Sequence, residues 1–182
     1  SSYLPDWHPY ENYSKGYAAR DDLGGGIVLT MIHDLDYLFW IFGDIKEVFS
    51  VTGKFSELKV SADDTSAILL KFKNNVIGQI YLDYHQKPPF REIKIRGTKG
   101  IIHWNSNENK VRVFDPRKNM WSIKLTIKNN QRNKMYVDEI NHFLRCVKSR
   151  KTTINPIQHG IRTLEISLAI KKSSKLKRMV KT

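Results

Sequence analysis

Residues 121–127 read WSIKLTI, with Trp121, Ile123, Leu125 and Ile127 alternating with Ser122, Lys124 and Thr126. A period of two sends the apolar side chains to one face of a strand and the polar ones to the other. Residues 92–96, EIKIR, repeat the pattern, with Ile93 and Ile95 set between Glu92, Lys94 and Arg96. Parallel sheets are covered on both faces and read as unbroken apolar runs, whereas antiparallel sheets with helices on one side alternate in this way. The fold class that follows is α+β, with a large, open-faced, mostly antiparallel sheet and helices packed on one side.

Working outward, residues 45–127 are almost entirely strand-like. Residues 64–72 and 76–84 flank Asn74 and Asn75, a tight hairpin turn, and strands at 101–104 and 110–114 are separated by Gly97 and Gly100, by 105–109 and by 116–119. In 76–85 both faces are apolar, Ile77 and Tyr81 lying opposite Ile80, Leu82 and Tyr84. Part of the second face is therefore expected to bury against another subunit or domain. Downstream, 132–149 carries a helical stripe of Val137, Ile140, Phe143, Leu144 and Val147. A second helix, 157–179, carries Ile161, Leu164, Ile166, Leu168 and Ile170, with Pro156 at its first turn. Both are expected to pack on the sheet or beside the first helix.

That first helix is 24–43, GGGIVLTMIHDLDYLFWIFG, stopped at Gly43. At about 100° per residue, Val28, Met31, Ile32, Leu35, Leu38, Phe39 and Phe42 share one side, and Leu29, His33, Asp36, Tyr37 and Trp40 fall opposite. A surface helix ordinarily turns lysines and glutamates outward; this one turns out an imidazole, a carboxylate, a phenol and an indole. Residues 1–23 read as an aromatic loop that covers something or binds something. Within it Asp6, Trp7, His8, Tyr10 and Arg20 are candidate substrate contacts, because aromatic rings stack on sugars, polar groups bond hydroxyls and a guanidinium meets a phosphate or carboxylate.

With 182 residues, 40% of them hydrophobic, the chain supports one globular core, and a single domain over 1–182 is the expectation. The net charge of +13 is spread along the chain, dense only at Lys171, Lys172, Lys175, Lys177, Arg178 and Lys181. This reads as a solvated helix face, so neither nucleic acid nor membrane is an expected partner. No apolar run reaches the roughly 18 residues of a membrane span. A single cysteine, Cys146, forms no internal disulfide and fits a reducing, cytoplasmic setting. GxGxxG, GxxxxGK[ST] and GxSxG are absent, so no dinucleotide cradle or serine elbow is expected in this chain. His33, Asp34 and Asp36 with His8 do not all face one ion, and no metal site is expected.

The order of motifs resembles one known family. GGG, six residues, then His33-x-x-Asp36-x-x-x-Trp40-x-x-Gly43 is similar to the substrate-domain signature of the glucose-fructose oxidoreductase, inositol dehydrogenase and MocA family. In the same order come Lys87-Pro88-Pro89 with Arg91-Glu92-Ile93, then Gly97-Thr98-Lys99-Gly100-Ile101-Ile102-His103-Trp104, the helix around Met135 to Phe143, and the closing helix from Pro156 to Ala169. The resemblance implies the C-terminal domain of a two-domain oxidoreductase, with the NAD- or NADP-binding Rossmann domain, its Glu-Lys-Pro lysine and the first strand of the sheet lying outside this chain. The edge left by that strand is expected to be covered by a partner chain, an upstream strand or twisting.

For His33 the resemblance implies a general acid/base exchanging a proton with a substrate hydroxyl, with Asp36 orienting or tuning the ring. Read from residues alone, His33 is a helix-capping or interface histidine satisfied by Asp36. Where many members carry a further Asp four residues before the histidine, this chain has Leu29, and the spacing from the glycines is one residue shorter. The function implied is the substrate-binding and oligomerising portion of a NAD(P)-dependent oxidoreductase acting on a sugar, amino sugar, nucleotide sugar or polyol hydroxyl. It is expected to be inactive alone and to form a homodimer or tetramer through the sheet. The alternative is an inactive stand-alone binding or scaffold module of the same fold.

Overall fold

The computed structural model describes residues 1–127 and 132–182, and these divide into two compact units, Ser1–Pro89 with Asn155–Thr182, and Phe90–Ile154. In the first unit β1 (Ile45–Gly53), β2 (Thr65–Phe72), β3 (Ile77–Asp83) and β8 (Val180–Lys181) form one antiparallel sheet in the order β3-β2-β1-β8. α1 (Ile27–Thr30), α2 (Ile32–Phe42) and α4 (Ile157–Leu176) complete it. The second unit holds β4 (Glu92–Gly97), β5 (Gly100–Asn105), β6 (Lys110–Asp115) and β7 (Met120–Thr126), an antiparallel meander, and α3 (Arg132–Ser149). The α+β class with antiparallel sheets is as expected, but the strands are shared between two four-stranded sheets rather than one. Pro88 and Pro89, which lack the N–H a ladder needs, stand between β3 and β4.

The strand boundaries follow the sequence pattern closely, because each turn carries a residue suited to it. Asn75, Asn109 and Asn119 adopt left-handed φ of 64°, 51° and 48° at the β2–β3, β5–β6 and β6–β7 turns, a conformation asparagine tolerates better than most residues. The core of the first unit lies between its sheet and helices: Ile27, Val28, Leu35, Val48, Ile68, Leu70, Phe72, Ile166 and Ile170 are almost wholly removed from solvent.

Three expectations are corrected. The helix over 24–43 is two helices, bent by 44° where Met31 (φ −96°, ψ 27°) interrupts the regular geometry. α1 is fixed at its start by Asp63, whose main-chain oxygen accepts Ile27 N–H at 2.8 Å and whose carboxylate accepts Val28 N–H at 3.3 Å, whereas α2 is fixed to α4. On α4 the buried stripe is not Ile161, Leu164 and Leu168, which are each about half exposed, but Thr163, Ile166, Ser167, Ile170 and Ser173. The small hydroxyl residues let the helix lie close to β1: Ser50 Oγ donates to Ile170 O (2.6 Å), and Ser173 and Ser174 accept the N–H groups of Ser50 (3.2 Å) and Thr52 (2.9 Å). These bonds, with the two-residue β8, occupy the β1 edge, so the chain covers that edge with its own C-terminal segment. Finally, the apolar stripe of α3 and the β7 row of Trp121, Ile123 and Leu125 are each about half exposed instead of packed together.

Candidate functional site

The site begins at the glycines. Gly25 N–H donates to Arg20 O (2.9 Å) and Gly26 N–H to Ala18 O (3.0 Å), and a Cβ on Gly25 would stand 2.0 Å from Tyr17 O. The triad is thus a close backbone crossing that aims α1. It is not a phosphate cradle, because these N–H groups are already spent on the chain and α1 is only four residues long. A dinucleotide does not fit here.

α2 sorts its residues as the periodicity predicts. Leu35 is buried, Leu38, Phe39 and Phe42 pack against the core, and His33 and Trp40 face outward, Trp40 with 69% of its surface exposed. Asp34, beside His33, is buried. Asp36 turns toward α4: its Oδ1 accepts from Thr163 Oγ1 (3.1 Å) and lies 3.0 Å from His159 Nε2. The His159 ring packs against Phe39 with centroids 4.4 Å apart. His159 is the residue that the sequence reading missed.

The aromatic loop is organised by short 3-10 turns. Leu4 N–H donates to Tyr84 O (2.8 Å), which lays the first turn along the end of β3. Trp7 stands edge-on to the buried Tyr84 ring at 5.5 Å and donates its indole N–H to Ser2 Oγ (2.8 Å). Asp6 pairs with Lys87 at 2.8 Å, and that ammonium also lies 5.0 Å above the Tyr3 ring. His8 Nδ1 is 3.1 Å from the exposed Tyr10 hydroxyl. Arg20 is engaged by Asp22, and its guanidinium holds the Asp22 carboxyl below the usual carboxylate range. Of the loop candidates, Asp6 and Trp7 are carried against the β3 end and Arg20 lies next to the glycines, while His33 and Asp36 share α2. Burial pushes the Tyr84 phenol, whose hydroxyl donates to Ala18 O (3.2 Å), well up from its ordinary value.

Residues 1–103, which include the glycines, α2 and β1 to β3 of the first sheet, match the family model described as the GFO/IDH/MocA C-terminal domain. The chain belongs to this family. Among relatives of GFO/IDH/MocA type, the myo-inositol 2-dehydrogenase of Thermotoga maritima is 30% identical over 168 residues, which span 87% of this chain and 50% of that protein. The chain therefore spans about half the length of the curated relative it matches. A levoglucosan dehydrogenase solved with NADH superposes with a TM-score of 0.84 at 16% identity, over 99% of this chain and 56% of the other. A probable dehydrogenase from Thermotoga maritima gives 0.67 at 28% identity, over 86% and 49%. The GFO/IDH/MocA fold thus extends over both helical and strand regions of the chain.

Proposed function

We propose that this chain is the substrate-binding and oligomerising portion of a NAD-dependent oxidoreductase acting on a hydroxyl of a sugar, amino sugar, nucleotide sugar or polyol. The observation that carries the reading is His33, exposed on the outward side of α2 within the segment that matches the family model. Its likeness to a myo-inositol dehydrogenase and to a levoglucosan dehydrogenase solved with NADH supports the cofactor and the substrate class. The nicotinamide, held outside this chain, supplies the hydride chemistry, and His33 supplies the proton chemistry. An imidazole suits that task because it accepts and returns a proton near neutral pH. Asp36, one turn along, supports the ring electrostatically, and Asp6, Trp7, His8, Tyr10 and Arg20 are proposed substrate contacts.

The test is His33→Ala in the whole polypeptide that carries this chain. Cofactor binding is expected to persist while turnover falls by on the order of 10² or more. Unchanged turnover would leave His33 a structural residue. A second reading, a non-catalytic module that self-associates, is favoured by the uncovered apolar face of the first sheet, where Val51, Leu69, Ile77 and Tyr81 are exposed. It predicts that the whole polypeptide assembles but reduces no NAD with any polyol offered.

A further inference from the structure

The carboxylate beside His33 is held from another helix. Asp36 Oδ1 has two neighbours on α4, His159 Nε2 at 3.0 Å and Thr163 Oγ1 at 3.1 Å. The threonine hydroxyl has one hydrogen and a competing acceptor, the main-chain oxygen of His159 at 3.0 Å, so it can serve Asp36 only part of the time. The His159 ring is the second polar group against that oxygen. His159 is also the better anchored of the two side chains of the pair, with 17% of its side chain exposed against 34% for Asp36, and its ring is backed by Phe39. Asp36 and His33 are three residues apart on α2 and therefore neighbours on its surface. A carboxylate free to rotate would present its charge to His33 in several geometries; one paired with a fixed ring presents it in fewer.

We propose that His159 is a positioning residue for the site on α2: its Nε2, 3.0 Å from Asp36 Oδ1, pairs with that carboxylate from α4 and sets the geometry in which it meets His33. This rests on the reading of His33 as the proton-handling group. It also gives the chain a support for His33 that does not need an acid at Leu29.

The test uses His159→Gln, whose amide nitrogen can reach the place of Nε2, His159→Leu, which fills the volume without a polar atom, and Asp36→Asn. In the whole polypeptide, His159→Leu is expected to lower kcat about tenfold with KM within about twofold, and His159→Gln to recover most of it. The double variant Asp36→Asn/His159→Leu should be no worse than the worse single one, since both break one link. Equal losses in the Gln and Leu variants, or losses that multiply, would overturn the proposal. A readout independent of turnover is the ¹⁵N spectrum of the His33 ring, expected to shift in His159→Leu and Asp36→Asn and to return in His159→Gln. If the His33 resonances stay in place, His159 positions nothing. If they move while His33→Ala keeps full turnover, the assignment of His33 is what fails.

Discussion

Asp64 has no surface in contact with solvent, yet its carboxylate is charged, because four donors converge on it: Phe55 N–H (2.8 Å), Ser56 N–H (3.1 Å), Ser56 Oγ (2.7 Å) and Thr65 Oγ1 (2.9 Å). Burial pushes its affinity for a proton up, the hydrogen bonds from Ser56, Phe55 and Thr65 push it down, and the hydrogen bonds win, leaving the carboxyl below its ordinary value. The unfolded chain therefore takes up this proton first as pH falls. The stabilisation is complete above the unfolded value of about 4 and is lost as pH drops through the folded one. Asp64→Asn is expected to cost about 2 kcal/mol at neutral pH, and the gap from the unmodified chain should close in acid. Urea denaturation of both proteins at several pH values measures this, and a gap independent of pH would show that the charge is not what the four donors hold. At this scale the site was only half legible. His33 and Asp36 lie in one short segment whose periodicity puts them on one side, so the sequence displays them together. His159 acquires its meaning only because α4 runs beside α2, and no local pattern around it distinguishes it from any other helical histidine.

The bend between α1 and α2 shows how an element can be read correctly in its burial and wrongly in its course. The apolar core residues of 28–42 were legible from their spacing and the buried Asp34 was not, while the break at Met31 depends on Asp63, a residue in the loop before β2 that ties down the start of α1. The strands β2 and β3 were legible for the opposite reason: their register is fixed by a local turn at Asn74 and Asn75. The end of α4 was not, since Lys177 takes a left-handed φ of 53° where a glycine would have announced the stop, and the chain then turns back into β8. Gly26 is where the tie on α1 is tightest. Its φ is +105°, and a Cβ there would lie 2.7 Å from the Asp63 carboxylate, which is itself committed to Val28 N–H and, at 2.7 Å, to Lys171 Nζ. The carboxylate cannot yield without releasing both. Gly26→Ala is expected to cost about 2 kcal/mol or more, read as a lowered thermal midpoint. A variant that melts with the unmodified chain would mean that α1 is not pinned there.

On the scale of the whole molecule, the first sheet is covered by helices on one side only. The other side is a regular array set by the register: Glu47, Lys71 and Ile77 in one row, Phe49, Leu69 and Gln79 in the next, Val51, Ala67 and Tyr81 in the third. The two charges of the first row pair with each other at 3.2 Å, so the array has no charge left to repel a copy of itself. Ile77 is 78% exposed and Tyr81 56%, large apolar side chains of the kind that mark contact surfaces. We expect two copies of the chain to associate through this face. The net charge of +13 lies elsewhere and opposes the encounter, so association should strengthen as salt screens it, the reverse of what binding to a polyanion would show. Sedimentation velocity on the whole polypeptide at low and high ionic strength, with Leu69→Lys and Tyr81→Lys beside the unmodified protein, decides the matter. The lysine variants should dissociate to monomers with unchanged circular dichroism, since both side chains already face solvent and neither belongs to the core. Assembly that survives both substitutions, or that weakens with salt in the unmodified protein, would move the contact off this sheet.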